Sequence, residues 1–166
     1  MHNHYTVRNA SAPDVPLIRE LALATWEPTY QEILPKEQID YMFKVIYSEE
    51  ALQVQMQAGQ TLLLLYKDKL PIGFAAYSMK NEEDLIYKLN KIYLLPECQG
   101  FGAGKVLLQY VEEEVMKLGG VLLDLNVNRY NKAKDFYERC GYTIHQEEDI
   151  PIGPYWMNDY VMRKKL

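Results

Sequence analysis

The hydrophobic positions change period several times along the chain, and each change marks an element. Tyr5-Thr6-Val7-Arg8 alternates apolar and polar, the pattern of a short strand. Ser11 then offers a helix cap with Pro13 in the first turn, and Val15, Ile18, Leu21 and Ala22 place one apolar stripe on the helix that follows. Residues 35–47 (PKEQIDYMFKVIY) and 48–57 predict further helix, closed by Gly59. TLLLLY (61–66) and LPIGFAAYSM (70–79), joined by Lys67-Asp68-Lys69, predict a hairpin. LIYKLNKIYLL (85–95) predicts a long strand that Pro96 ends.

From Gly102 onward Val106, Leu107, Tyr110, Val111, Val115 and Met116 recur at helical spacing until Gly119-Gly120. VLLDLNV (121–127) is a nearly continuous apolar run, which predicts a strand buried on both faces. Residues 132–140 predict a short helix ended by Gly141, and YTIHQ (142–146) with NDYVMRKKL (158–166) two closing strands. Antiparallel strands followed by a strand–helix–strand–helix unit predict an α/β (α+β) fold, a mixed, mostly antiparallel sheet with helices on both faces. Neither repeat nor linker divides the 166 residues, so 1–166 reads as one domain.

Composition narrows the partners. Apolar residues make up 48% and charged residues 25%, the balance of a soluble globular protein. The longest apolar run, Leu62 to Tyr66, falls far short of the roughly 20 residues of a membrane span, so no membrane partner is expected. The start MHNHYTVRNA lacks the features of a secretory signal, which predicts a cytoplasmic chain with Cys98 and Cys140 as buried, reduced thiols. Net charge is −5 and Lys/Arg form no cluster of four, which argues against nucleic acid and favours a cationic small molecule. His2, His4 and His145 lack metal-ligand spacing, and no metal is expected.

The chemistry concentrates in PECQGFGAGK (96–105), where three glycines alternate between a strand and a helix. Unpaired amides and the positive helix end collect there, and glycine lets an anion approach them closely. A Gly-rich turn with close helix packing explains the same residues. A Walker loop is excluded because Lys105 is followed by Val106, and a dinucleotide fingerprint because Lys105 occupies the third glycine position.

Gln99, Gly102 and Gly104, followed about 30 residues later by Asn131, Ala133, Phe136-Tyr137 and Gly141-Tyr142, resemble the motifs of the GCN5-related N-acetyltransferase (GNAT) family. The resemblance runs from about Tyr5 to the C-terminus. It implies a sheet splayed between 85–95 and 121–127, acetyl-CoA as co-substrate, and transfer of the acetyl group to an amine. By the same resemblance the backbone of Ile92, Tyr93 and Leu94 pairs with the pantetheine arm. Gln99, Gly100, Phe101, Gly102, Ala103, Gly104 and Lys105 form the diphosphate cradle, Asn131 is a further cofactor contact, and Tyr137 sets its hydroxyl near the thioester sulfur.

Two positions depart from the family pattern. The slot where some members carry a catalytic Glu holds Asn126, which cannot take a proton, leaving Glu27, Glu32 or water as base. Asn131 stands two residues before Ala133 where the family places it three before, with Tyr130 in the usual slot. Trp26, Glu27 and Tyr30 are the acceptor-site candidates, and Tyr155 and Trp156 also offer rings to a cationic amine, though core packing explains each ring as well. Cys98 reads as packed rather than nucleophilic. The stretch from Thr25 to Met42 resembles the front end of polyamine acetyltransferases, which ranks a polyamine first among acceptors. An N-terminal amine or aminoglycoside, a non-catalytic acyl-CoA-binding module, and a homodimer stay open.

Overall fold

The computed structural model describes residues 4–166; His2 lies outside the described residues. Seven strands form one sheet: β1 (Tyr5–Asn9), β2 (Thr61–Lys67), β3 (Leu70–Asn81), β4 (Ile86–Leu94), β5 (Leu122–Asn128), β6 (Thr143–Ile152) and β7 (Tyr155–Lys165). Their spatial order is β1-β2-β3-β4-β5-β7-β6. Every pairing is antiparallel except β4 with β5. Among the described residues five α-helices cover it: α1 (Val15–Tyr30), α2 (Lys36–Tyr47), α3 (Glu49–Gln57), α4 (Ala103–Lys117) and α5 (Ala133–Arg139).

The period of two in the strands feeds two cores. Leu63, Leu65, Ala75, Leu123 and Leu125 face one side and bury Leu107, Val111 and Val115 of α4. Leu62, Leu64, Phe74 and Ala76 face the other and meet Ile18, Trp26, Met42 and Leu52 of α1 to α3. Complete burial of each such aliphatic side chain is worth roughly 1.5–3 kcal/mol, so both helical layers are held to the sheet.

Three elements differ from the sequence reading. α1 runs on to Tyr30 with Pro28 inside its last turns, where an exposed carbonyl tolerates the lost bond, and this extension carries Trp26 and Tyr30 into the core. β5 is buried on both faces as expected, but only one is apolar: Asp124, Asn126 and Asn128 lie on the other, and buried Asp124 is satisfied by Arg163 and Lys80. The closing strands are longer than predicted, forming a hairpin that turns at Gly153-Pro154. β6 is an edge strand with mostly exposed side chains, so its polar EED run and Pro151 concealed it.

The feature that creates a site is local. β4 and β5 pair from Ile86 with Leu122 to Leu89 with Leu125 and no further. At that level Ala76 pairs with Lys91 but Tyr77 with Leu89, which leaves Asn90 as a bulge in β4. The Asn90 side chain donates to Ser78 Oγ at 2.8 Å. A bulge bends its strand, and beyond it β4 leaves β5, opening the predicted splay.

Candidate active site

The gap between β4 and β5 widens into a cleft of about 900 Å³. Leu95 N–H donates to Ile72 C=O at 2.8 Å across the β3–β4 pair. Backbone direction alternates along a strand, so Tyr93 turns its N–H and C=O toward β3, while those of Ile92 and Leu94 face the cleft. The Leu94 carbonyl accepts from Gln99 Nε2 at 3.3 Å. Ile92 and Leu94 therefore offer a strand edge to an extended partner, and Tyr93 contributes its ring instead of its backbone.

At the mouth, Gly100 and Gly102 have φ of 86° and 88°, the left-handed region that glycine adopts without strain. A Cβ on either would meet nothing within 4 Å, so both border open space. The first backbone bond of α4 runs from Val106 N–H to Gly102 C=O, leaving the amides of Ala103, Gly104 and Lys105 without an intrahelical acceptor. Gly104 has a different reason to be glycine. Its Cβ would lie 3.3 Å from Leu94 Cδ1 and 3.4 Å from Phe136 Cζ, so here close packing of α4 explains the residue. Ala103 is buried in the core and Phe101 is exposed; neither side chain lines the cleft. Lys105, Lys132 and Arg139 do. Free amides, open space over two left-handed glycines and three cations fit a diphosphate.

Tyr137 reaches the cleft from α5 with 8% of its surface exposed. Phe136 and Tyr142 hold its ring edge-on at 5.4 and 6.1 Å. Burial pushes the phenol well above its usual 10, so it remains a donor at neutral pH. Asn131 lines the cleft too, but its Oδ1 accepts from Ala133 N–H at 2.9 Å and caps the shortened loop into α5. Cys98 lines neither the cleft nor the cavity beside it, and burial pushes its thiol up, away from a reactive thiolate.

An inner cavity of about 320 Å³ adjoins the cleft, sharing Tyr30, Tyr93, Asn126 and the Leu89–Lys91 segment with it. Trp26 and Tyr30 line it; Trp26 Nε1 donates to Tyr47 Oη at 3.1 Å, and the Tyr30 and Tyr93 hydroxyls meet at 3.1 Å. Glu27 is exposed and lines neither space, whereas Glu32 sits on the rim of the cleft. Tyr155 packs on Tyr41 and Trp156 is exposed, both away from the cavity.

Lys88, Lys91 and Asp159 all line this cavity and escaped the sequence reading, and the last two are buried. Asp159 on β7 is 5% exposed; its Oδ2 accepts from Asn126 Nδ2 at 3.2 Å, and its buried Oδ1 has no partner among the described residues. Burial pushes this carboxyl above its ordinary value, opposed by the bond from Asn126. The signal was a carboxylate at an inward position of an otherwise apolar closing strand. Lys91 is 6% exposed, and its Nζ donates to Gln55 Oε1 at 2.6 Å and Gln60 Oε1 at 3.0 Å. Burial lowers it to about 8.

A parting sheet with a free strand edge, a helix start with three free amides and a buried phenol thus share one cleft. The GNAT acetyltransferase domain matches residues 27–156, well over half of the chain. A spermidine N(1)-acetyltransferase of Thermoplasma acidophilum is 28% identical over 166 residues, covering 96% of each chain. An N-acetyltransferase of Mycobacterium tuberculosis is 31% identical over 108 residues, 64% of this chain and 68% of the other. The crystal structure of the PaiA N-acetyltransferase from Thermoplasma acidophilum in complex with coenzyme A superposes with a TM-score of 0.83 at 27% identity, covering 98% of this chain and 99% of that one. The chain belongs to the GNAT acetyltransferase family and is an N-acetyltransferase with acetyl-CoA as co-substrate.

Proposed function

We propose that the cleft holds acetyl-CoA, that the inner cavity holds a primary amine, and that the acetyl group passes directly between them. The observation that carries this reading is the splay beyond Leu89, which frees the backbone of Ile92 and Leu94 beside Tyr137 and joins the cleft, through Tyr30, Tyr93 and Asn126, to the cavity that Asp159 lines. In this reading the pantetheine arm lies along Ile92 and Leu94 as an added strand. The amides from Gly100 to Lys105, Phe101 and Ala103 included, take the diphosphate, with Lys105, Lys132 and Arg139 around it. Gln99 fixes the Leu94 carbonyl, and Asn131, half spent on its cap, is the lesser contact.

Acetyl-CoA supplies the thioester; the chain must manage protons. An alkylamine has a pKa of about 10.4 and arrives as ammonium. Asp159 Oδ1 receives it and passes one proton on to solvent. As the C–N bond forms and the C–S bond breaks, Tyr137 Oη gives its proton to the departing sulfur, and the second proton shed by nitrogen restores the phenol through water. One proton is released per turnover. Burial raises the Asp159 carboxyl, narrowing the gap the transfer must cross. The carboxylate absent at 126 is thus supplied across the β5–β7 pair, with Asn126 orienting it.

A polyamine ranks first among acceptors on sequence likeness, and the spermidine acetyltransferase relative supports it. The charges of the inner cavity weigh the other way, because Lys88 and Lys91 line it with a single carboxylate. Thiol release from acetyl-CoA, measured over spermidine, monoamines, amino acids and aminoglycosides, tests the reading. Turnover on at least one amine that falls about a hundredfold in Asp159→Asn is expected from removal of a general base; full activity in that variant removes Asp159 from the chemistry.

A further inference from the structure

Strand pairing sets a second carboxylate beside Asp159. Glu148 of β6 stands directly opposite it, so the two side chains leave the sheet on the same face with Cβ atoms about 5 Å apart. Ile150 and Ile152 continue that face of β6 and line the inner cavity with Met157 and Asp159, and Glu148 is half-buried just beyond that wall. Like charges directly opposite destabilise a sheet unless a cation relieves them. The fold supplies none here. Arg129 donates to the Asp159 carbonyl at 3.2 Å, but its guanidinium is held by Asp149 and Glu147, whose side chains leave β6 on the other face, and Glu148 has no ion pair among the described residues. Burial raises the Asp159 carboxyl and the bond from Asn126 lowers it; among the charges that act on it Glu148 comes first, raising it against Lys88 and Arg129. From α1 the Tyr30 hydroxyl feels the Asp159 charge, and Lys91 of β4 lines the same cavity but is turned to Gln55 and Gln60.

We propose that Glu148 is a positioning residue for acetyl transfer, whose charge across the β6–β7 pair keeps Asp159 ready to draw a proton from the incoming ammonium. The two carboxylates then titrate as a unit. Of the pair Asp159 takes the proton, because burial penalises its charge more than that of half-buried Glu148. Once it is protonated the repulsion across the strands is gone, so the force that burdens the empty site favours the transfer. This rests on the reading of Asp159 as the base and deepens it: Asn126 orients that base and Glu148 sets its strength.

The test follows the aspartate carboxyl carbons by NMR as pH is varied, the Asp159 signal being the one that Asp159→Asn removes. In Glu148→Gln its titration should move to lower pH. In Glu148→Asp it should stay near that of the wild type, and in Glu147→Gln, which removes the same charge from the other face, it should not move. Thiol release from acetyl-CoA, with spermidine and the best acceptor of the amine panel, gives the kinetic readout. At the acid pH where wild-type kcat/KM has fallen tenfold from its plateau, Glu148→Gln should keep about a third of its own plateau. An Asp159 titration or an acid limb that Glu148→Gln leaves in place, or moves no further than Glu147→Gln does, overturns this proposal and leaves Asp159 standing as the base. Full activity in Asp159→Asn overturns both.

Discussion

Replacing Gly102 by valine separates the demands of the backbone from those of the ligand. Gly102 has φ of 88°, and an L-residue there costs about 2 kcal/mol. A Cβ there would find nothing within 4 Å, so the loss should be mainly that backbone term. At about 2–4 °C per kcal/mol for a chain of this size, Tm should fall by about 4–8 °C. Gly59 is the matched control: its φ is 109°, its surroundings are equally open, and it closes α3 far from the cleft. Both variants should melt earlier by similar amounts. Only Gly102→Val places a branched side chain over the amides of the α4 start, where it should raise the coenzyme A dissociation constant about tenfold, or 1.4 kcal/mol. Saturating coenzyme A would then raise Tm less in Gly102→Val than in the wild type, while Gly59→Val keeps the full ligand shift. Calorimetric titration measures the affinities and thermal melts with and without ligand measure the shifts. Equal affinities in the two valine variants would refute the cradle.

Tyr137→Phe should lower kcat about tenfold or more and leave coenzyme A affinity near that of the wild type in steady-state kinetics and titration, because in the proposed mechanism the hydroxyl serves the leaving sulfur and not binding. Asp159→Asn should stabilise the protein while impairing catalysis. A carboxyl whose folded pKa is raised withdraws stability as pH rises through that value, so its removal should raise Tm at pH 7 and leave it unchanged at pH 3. Asp124 runs the opposite way. Burial works to raise its carboxyl, but bonds from Arg163 and Lys80 hold it below the ordinary value, so its contribution is present at neutral pH and lost as pH falls below about 4. Asp124→Asn should cost about 3 kcal/mol in denaturant melts at pH 7 by leaving two cations unpaired, and much less at pH 3.

Much of the fold was legible because it follows from local rules. Periodicity placed β2, β3, β4 and α4, and glycines in the left-handed region ended α3, α4 and α5 where the sequence put them. The closing hairpin was only half legible, since an edge strand buries too little to impose alternation. The cradle was legible in part: Gly100 and Gly102 border open space, but Gly104 answers to packing against Leu94 and Phe136. Lys132 and Arg139 join the same cleft from a separate helix, a neighbourhood that spacing does not encode.

By itself the sequence determined the order of elements, the two motifs around Gly102 and Tyr137, and through them the family. Only the tertiary structure decided the acceptor end. Asp159 stands 33 residues beyond Asn126 yet touches its side chain, and Lys91 meets Gln55 and Gln60 from a helix and loop that precede it. Whether such a charge is solvated or left buried without a partner depends on what the strand pairing and helix packing bring around it. A one-residue bulge at Asn90 sets that arrangement, and nothing in the period of its own strand announces it.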